Sequence, residues 1–134
     1  LVLCSLWNLT GEEKWQEAAQ QQLEFLAGAC EEYPAGHSFA LLAMEDVLHP
    51  HRELLCATRD GVPQVLRRYL DENPAYGRSV LVKTPENADL LAQLAPFTKE
   101  IPLPSQGSVY YLCENGSCQK PQESLEDVLK LGKI

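Results

Sequence analysis

Apolar residues change their period at His49-Pro50-His51, and that change limits what each half of the chain can fold into. Before it, Trp15, Ala18, Ala19, Leu23, Leu26, Ala29, Cys30 and Tyr33 recur mostly at intervals of three and four. This spacing lines one face of an α-helix and predicts one of about 20 residues. Thr10-Gly11-Glu12-Glu13 ahead of it has the form of a capping box, with Thr10 as cap and Glu13 reaching back. Pro34 stops the helix, Ala35-Gly36 turns the chain, and a second helix is predicted from Ser38 to Leu48. Phe39, Leu41, Leu42, Met44, Val47 and Leu48 are expected mostly inward. Residues 1–9 read as the end of a further helix. Two antiparallel helices need another apolar layer to cover them, so residues 1–48 are expected to belong to a larger helical assembly. Residue 1 is Leu and the single Met is Met44, which predicts a segment of a longer protein.

Beyond Pro50, which cannot continue a helix, the apolar runs shorten. Glu53–Thr58 and Ser79–Thr84 have strand character, and helical stretches follow each, at Val62–Leu70 and from Pro85 to Leu94 with Thr84 as cap. The first of these helices is expected to end near Asn73-Pro74. This order is a βαβα unit, whose strands should run parallel with a right-handed crossover. A Pro-rich link then leads to a strand at Ser108–Cys113, an Asn115-Gly116 turn and a short return through Cys118. Ser124 is expected to cap a final helix carrying Leu125, Val128, Leu129 and Leu131. The expected fold class is α/β: a helical hairpin over residues 1–48, then a small βαβα module over 52–134 that ends in a β-hairpin and a helix.

Charge narrows the partners. The formal net charge is −8, and most of it lies in residues 1–51, where acidic side chains face only Lys14. No basic stripe exists to displace counterions from a phosphate backbone, so nucleic acid is not an expected partner. The apolar runs fall far short of the roughly 20 residues that span a bilayer. Nor does the opening LVLCSL carry the basic leader of a signal peptide. Asn8-Leu9-Thr10 and Asn115-Gly116-Ser117 have glycosylation-acceptor form, but nothing else marks a secreted chain. Cys4, Cys30 and Cys56 sit in apolar surroundings that suit buried free thiols, which leans the location toward the cytoplasm.

Chemistry-bearing patterns are sparse. Arg59-Asp60-Gly61 occupies the strand-to-helix position where a nucleotide would bind, but a single Gly cannot form the phosphate cradle, and no cofactor is expected. His49 and His51, with Glu53 as a third group, are candidate weak metal ligands; solvated loop side chains are the expectation, because zinc needs three or four converging donors. The acidic pairs read as solvated surface, and no Gly-x-Ser-x-Gly elbow is present.

Cys113-Glu114-Asn115-Gly116-Ser117-Cys118 is the most informative element. Asn-Gly suits a type I′ turn, where both central residues need positive φ. In that register Glu114 pairs with Ser117, and Cys113 lies opposite Cys118 in a non-hydrogen-bonded pair, with Cα atoms about 4.5 Å apart. The expectation is a structural hairpin with free thiols. A reversible or structural disulfide and a metal site stay as alternatives.

Ser108-Val-Tyr-Tyr-Leu-Cys-Glu-Asn-Gly-Ser-Cys-Gln-Lys-Pro121, followed by the Ser124 cap and a short helix, resembles the C-terminal end of the thioredoxin-domain-containing proteins related to spermatogenesis-associated protein 20. Leu94-Ala95-Pro96-Phe97-Thr98, the strand at Glu53–Thr58 and the segment Leu6–Glu13 are similar to further stretches of that family. Relatives often carry an aromatic residue where this chain has Gly116, a departure that favours a tight hairpin here. The resemblance implies an N-terminal thioredoxin-like domain and a central α/α toroid upstream, with Leu1–Leu48 as the toroid's last part and Arg52–Ile134 as an appended module. The expected partners are then the upstream domains of the same polypeptide. On this reading the segment is a non-catalytic accessory module with no self-contained active site. One alternative has it closing a carbohydrate pocket, with Trp15, Tyr110 and Tyr111 available to stack on sugar rings. The other is a thiol redox role through Cys113 and Cys118.

Overall fold

A computed structural model describes residues 1–49, 51–73 and 78–132; Pro50 and Pro74, to which the sequence assigns a boundary and a helix end, lie outside them. The chain forms two compact units, Leu1–His51 and Arg52–Ile134.

The first unit is helical: α1 (Val2–Thr10), α2 (Glu13–Glu32), a 3₁₀ turn (Pro34–His37) and α3 (Ser38–Leu48). α1 ends because Gly11 adopts φ 68°, a left-handed conformation open to Gly without steric cost, and its N–H donates to the Trp7 carbonyl at 2.8 Å. That closure corrects the expected capping box. Thr10 belongs to α1 and donates its hydroxyl hydrogen to the Leu6 carbonyl at 2.8 Å. Glu12, not Thr10, stands at the start of α2, and no side chain caps it. The expected face of α2 is the one turned inward, with Ala19 and Cys30 buried and Trp15, Ala18, Leu23, Leu26 and Ala29 half-buried, while Tyr33 is exposed. α3 departs from expectation: Ala43 is buried and Met44 half-buried, whereas Phe39, Leu41, Leu42, Val47 and Leu48 are exposed. The small residues of α3 face its neighbours, and the large ones face away.

The second unit is a mixed α/β fold around a small open four-stranded sheet. It runs β1 (Arg52–Thr58), α4 (Gln64–Glu72), β2 (Arg78–Lys83), α5 (Ala88–Leu94), a 3₁₀ turn (Pro96–Thr98), β3 (Ser108–Glu114), β4 (Ser117–Cys118) and α6 (Leu125–Gly132). The strand order is β2-β1-β3-β4. β1 and β2 are parallel, while β1 and β3, and β3 and β4, are antiparallel. β1 lies inside the sheet, and six of its seven residues are buried, which accounts for its almost unbroken apolar run.

Alternation along the strands sorts the core into two faces. Leu54, Cys56, Tyr110 and Leu112 pack with Leu66 of α4 and with Leu125 and Val128 of α6. On the other face Leu55, Ala57, Tyr111 and Cys113 pack with Ile101, and Phe97, Leu103 and Cys118 join them. α6 is capped as expected, its Asp127 N–H donating to Ser124 Oγ at 3.1 Å. α5 begins later than expected, at Ala88 rather than Pro85. Asn87 holds the preceding turn: its Oδ1 accepts the Thr84 N–H and its Nδ2 donates to the Val82 carbonyl, both at 2.8 Å. Asn side chains compete with helix in this way by bonding nearby backbone.

Candidate functional site

The β3–β4 hairpin is tight because Asn115 and Gly116 take φ of 51° and 75°, the two positive angles a type I′ turn needs. The register is Glu114 to Ser117 and Cys113 to Cys118, as the turn chemistry implies. Pairing runs on past the strand end, where the Gln119 N–H donates to the Leu112 carbonyl at 2.8 Å. Cys113 and Cys118 are joined by a disulfide, with Cα atoms 3.8 Å apart. The expectation of two free thiols is therefore corrected. A non-hydrogen-bonded pair brings opposed side chains closest together, and here both are sulfur-bearing. Cys113 is wholly buried, while Cys118 is half-buried.

The other three cysteines are free and buried, as their apolar surroundings imply. Burial pushes the Cys56 thiol up to about 11, against opposing hydrogen bonds with Ser108 and Tyr110. A thiol so rarely ionised near neutrality is a poor nucleophile.

The sheet brings a carboxyl group to the cystine. Glu53 is the direct cross-strand partner of Cys113 and is only 1 % exposed. Burial raises its pKa to about 7; a backbone hydrogen bond opposes the shift and the nearby charge of Glu114 adds to it. Next along the same strands, Arg52 Nε donates to Glu114 Oε2 at 3.0 Å, and Arg52 also donates to the Gly132 carbonyl at 2.6 Å. That Arg ties the start of β1 to the end of α6 and to the strand carrying Cys113.

Lys83 secures the covering segment. It is buried, and its Nζ donates to the carbonyls of Thr98 and Ile101 at 2.8 and 2.7 Å. Burial pushes its pKa down, while Glu100 and Asp89 act in the opposite direction. These bonds fix residues 98–101, and Phe97 and Ile101 cap the apolar face shared by Tyr111, Cys113 and Cys118.

The remaining candidates from the sequence do not gather into a site. His49 donates from Nδ1 to the Glu45 carbonyl at 2.9 Å in the tautomer that bond requires, and His51 is buried with its Nδ1 3.7 Å from Asp46 Oδ1. Among the described residues no group of three or more His, Cys, Asp or Glu is placed to hold a metal. Tyr110 and Tyr111 are buried in opposite faces of the sheet core and are not available to stack on a sugar. At the Arg59-Asp60-Gly61 turn, Arg59 Nε donates to the Pro104 carbonyl at 2.7 Å, so it braces the covering segment. Among the described residues no helix is long and apolar enough to cross a membrane.

Sequence reasoning named Glu53 only as a third group beside two histidines and missed its place beside the cystine. The available signal was its position as the one charged residue within Glu53–Thr58, two residues ahead of Leu55 on the same side of the strand.

No protein-family model, curated protein or solved structure matches the chain. The disulfide at Cys113–Cys118 corrects the expectation of a purely non-catalytic accessory module. A bonded pair beside a buried carboxyl is a chemically competent group, and it favours the thiol redox alternative.

Proposed function

We propose that Cys113 and Cys118 form a thiol–disulfide exchange site. The observation that carries this reading is the cross-strand bond at the tip of a hairpin, with one partner half-exposed and the other buried. An incoming thiolate meets Cys118 first, so Cys118 is the sulfur attacked and Cys113 the sulfur that leaves. A structural staple is the competing role, and the topology speaks against it. The closed loop is so short that crosslinking stabilises the chain by roughly 2 kcal/mol at most. β3 is independently registered with β1 along its full length, Ser108 to Glu114. Opening the bond therefore leaves the sheet paired, and the cysteines can be reduced and reoxidised without unfolding.

The kinship of Ser108–Pro121 with the thioredoxin-domain-containing proteins stands as a proposal too, supported by the Cys-x4-Cys segment and the order of elements. Upstream domains of the same polypeptide would then be the natural source or acceptor of electrons.

Equilibration of the folded chain in glutathione redox buffers, followed by acid trapping and mass spectrometry, tests the site. Two thiols should appear and disappear together, and Cys113→Ser and Cys118→Ser should each abolish the cycle. A bond that resists excess dithiothreitol until the chain unfolds would sink the reading.

A further inference from the structure

Glu53 has no part in the exchange step above, yet the register sets it directly across from Cys113. Opposed residues on antiparallel strands project to the same side of the sheet, with Cβ atoms about 5 Å apart. Alternation along β1 agrees, since Glu53 shares its side with Leu55 and Ala57, which pack with Tyr111 and Cys113. A carboxyl group in that position is costly to keep charged, which favours its protonated form. We propose that Glu53 is the proton donor and acceptor for the Cys113 sulfur during thiol–disulfide exchange. The assignment rests on the redox reading of the Cys113–Cys118 pair.

The chemistry balances with a small or protein thiol as the reductant. Its thiolate attacks Cys118 Sγ, the Sγ–Sγ bond breaks, and the bonding pair leaves on Cys113 Sγ. Cys113 is fully buried, where a bare thiolate is penalised by lost solvation. The neutral Glu53 carboxyl gives that sulfur its proton, leaving a mixed disulfide at Cys118, a Cys113 thiol and a Glu53 carboxylate. A second thiolate attacks the reductant's sulfur and carries it off as a disulfide, and Cys118 and Glu53 then take up protons from water. The reductant is oxidised by two electrons and the cystine is reduced by two. In the reverse direction the Glu53 carboxylate takes the Cys113 proton, and the freed thiolate attacks the mixed disulfide at Cys118.

Among the described residues, charged and titrating groups lie on the strands paired beside Glu53. On β3, Glu114 is paired with Arg52 of β1, and Tyr111 has a phenol that burial pushes up. On β2, Lys83 shares this side of the sheet, since Ser79 aligns with Glu53 and Lys83 with Ala57. Its ammonium is committed to the Thr98 and Ile101 carbonyls. None of these is the cross-strand neighbour of Cys113; Glu53 is. With its pKa raised to about 7, its carboxyl is available in both protonation states near neutrality, as a group that both gives and takes a proton must be.

The test uses the full chain with glutathione as the probe. Reduction of the disulfide is followed from about pH 5.5 to about pH 8.5, and each rate is divided by the thiolate fraction of glutathione. The corrected wild-type rate should fall through an inflection near pH 7 as Glu53 loses its proton. Glu53→Gln should lose the inflection and react about a hundredfold more slowly on the acid side, and Glu53→Asp should restore part of it. Infrared spectra of the wild-type chain give a second readout that needs no variant. The protonated carboxyl band should shift on reduction, because a thiol replaces a disulfide sulfur beside it. A disulfide that glutathione leaves intact in the folded chain removes the redox reading and the Glu53 assignment together. Exchange with the same pH profile in wild type and Glu53→Gln, or a carboxyl band unmoved by reduction, overturns the role of Glu53 alone.

Discussion

In residues 1–51 the apolar residues sealed from solvent are small, Cys4, Ala19, Cys30 and Ala43, whereas in residues 52–134 they include Leu54, Leu55, Leu66, Leu112 and Val128. The helical unit meanwhile leaves Phe25 and Leu48 each 80 % exposed. Both units show the apolar spacing proper to their secondary structure, so spacing alone does not make a core. A sheet offers each strand residue neighbours on two sides and a covering layer above. Three helices in sequence leave much of α3 without a facing layer. The α/β unit can thus hold a polar group in a fixed apolar setting, as Glu53 requires, and the helical unit is poorly suited to do so.

The largest expected effect would break this contrast outright. Residues 52–134 as a separate polypeptide should melt cooperatively by circular dichroism, while residues 1–51 should show little cooperative transition. Burying few large side chains leaves too little to offset the entropy of ordering the chain. A sharp two-state melt from residues 1–51 would end the comparison.

Glu53 sharpens it next. Its folded-state pKa of about 7 stands above the unfolded value of 4.5, so the unfolded chain gives up its proton first as pH rises. The stability associated with neutral Glu53 is fully present below about pH 4.5 and is lost by the time pH has passed 7. Glu53→Gln should therefore change little at low pH and stabilise the protein above neutrality, on the order of 3 kcal/mol. Denaturant unfolding of both proteins at the two ends of that window measures the difference. Equal stability curves at both ends would show that the carboxyl is not buried as described.

The smallest effect concerns the cystine. Cys113→Ser should cost roughly 2 kcal/mol or less and leave the sheet signal in the circular dichroism spectrum intact, because β3 keeps its pairing with β1. A loss of several times that size, or collapse of the sheet, would make the bond a structural staple.

Much of the second unit is legible in the sequence. The glycine-poor turn at Arg59-Asp60-Gly61, the strand at Ser108 and the Ser124 cap each express a local preference of a few neighbouring residues. Asn87 shows where such reasoning stops: Pro85 suits a helix start, but the side chain of Asn87 bonds back to Val82 and Thr84 and keeps the turn open. On α3 the helix was legible and its inward face was not. Large apolar residues occur round much of that helix, and the one residue its neighbours bury is the small Ala43.

The hairpin register is a local matter. Two consecutive positive φ angles are a local demand, Asn115-Gly116 meets it, and the register that sets Cys113 against Cys118 follows from the turn without help from the rest of the fold. Which group stands beside those sulfurs depends on the tertiary structure. β1 meets β3 only after α4, β2 and α5 have intervened, with Arg52 bonding Glu114 62 residues away. That distant pairing, not any local pattern, puts Glu53 against Cys113. Burial beneath the surrounding chain then turns an ordinary glutamate into a carboxyl poised near neutrality. Burial is a property of the packed whole: the lone charge in Glu53–Thr58 hints at it, and the layers on both sides of β1 complete it.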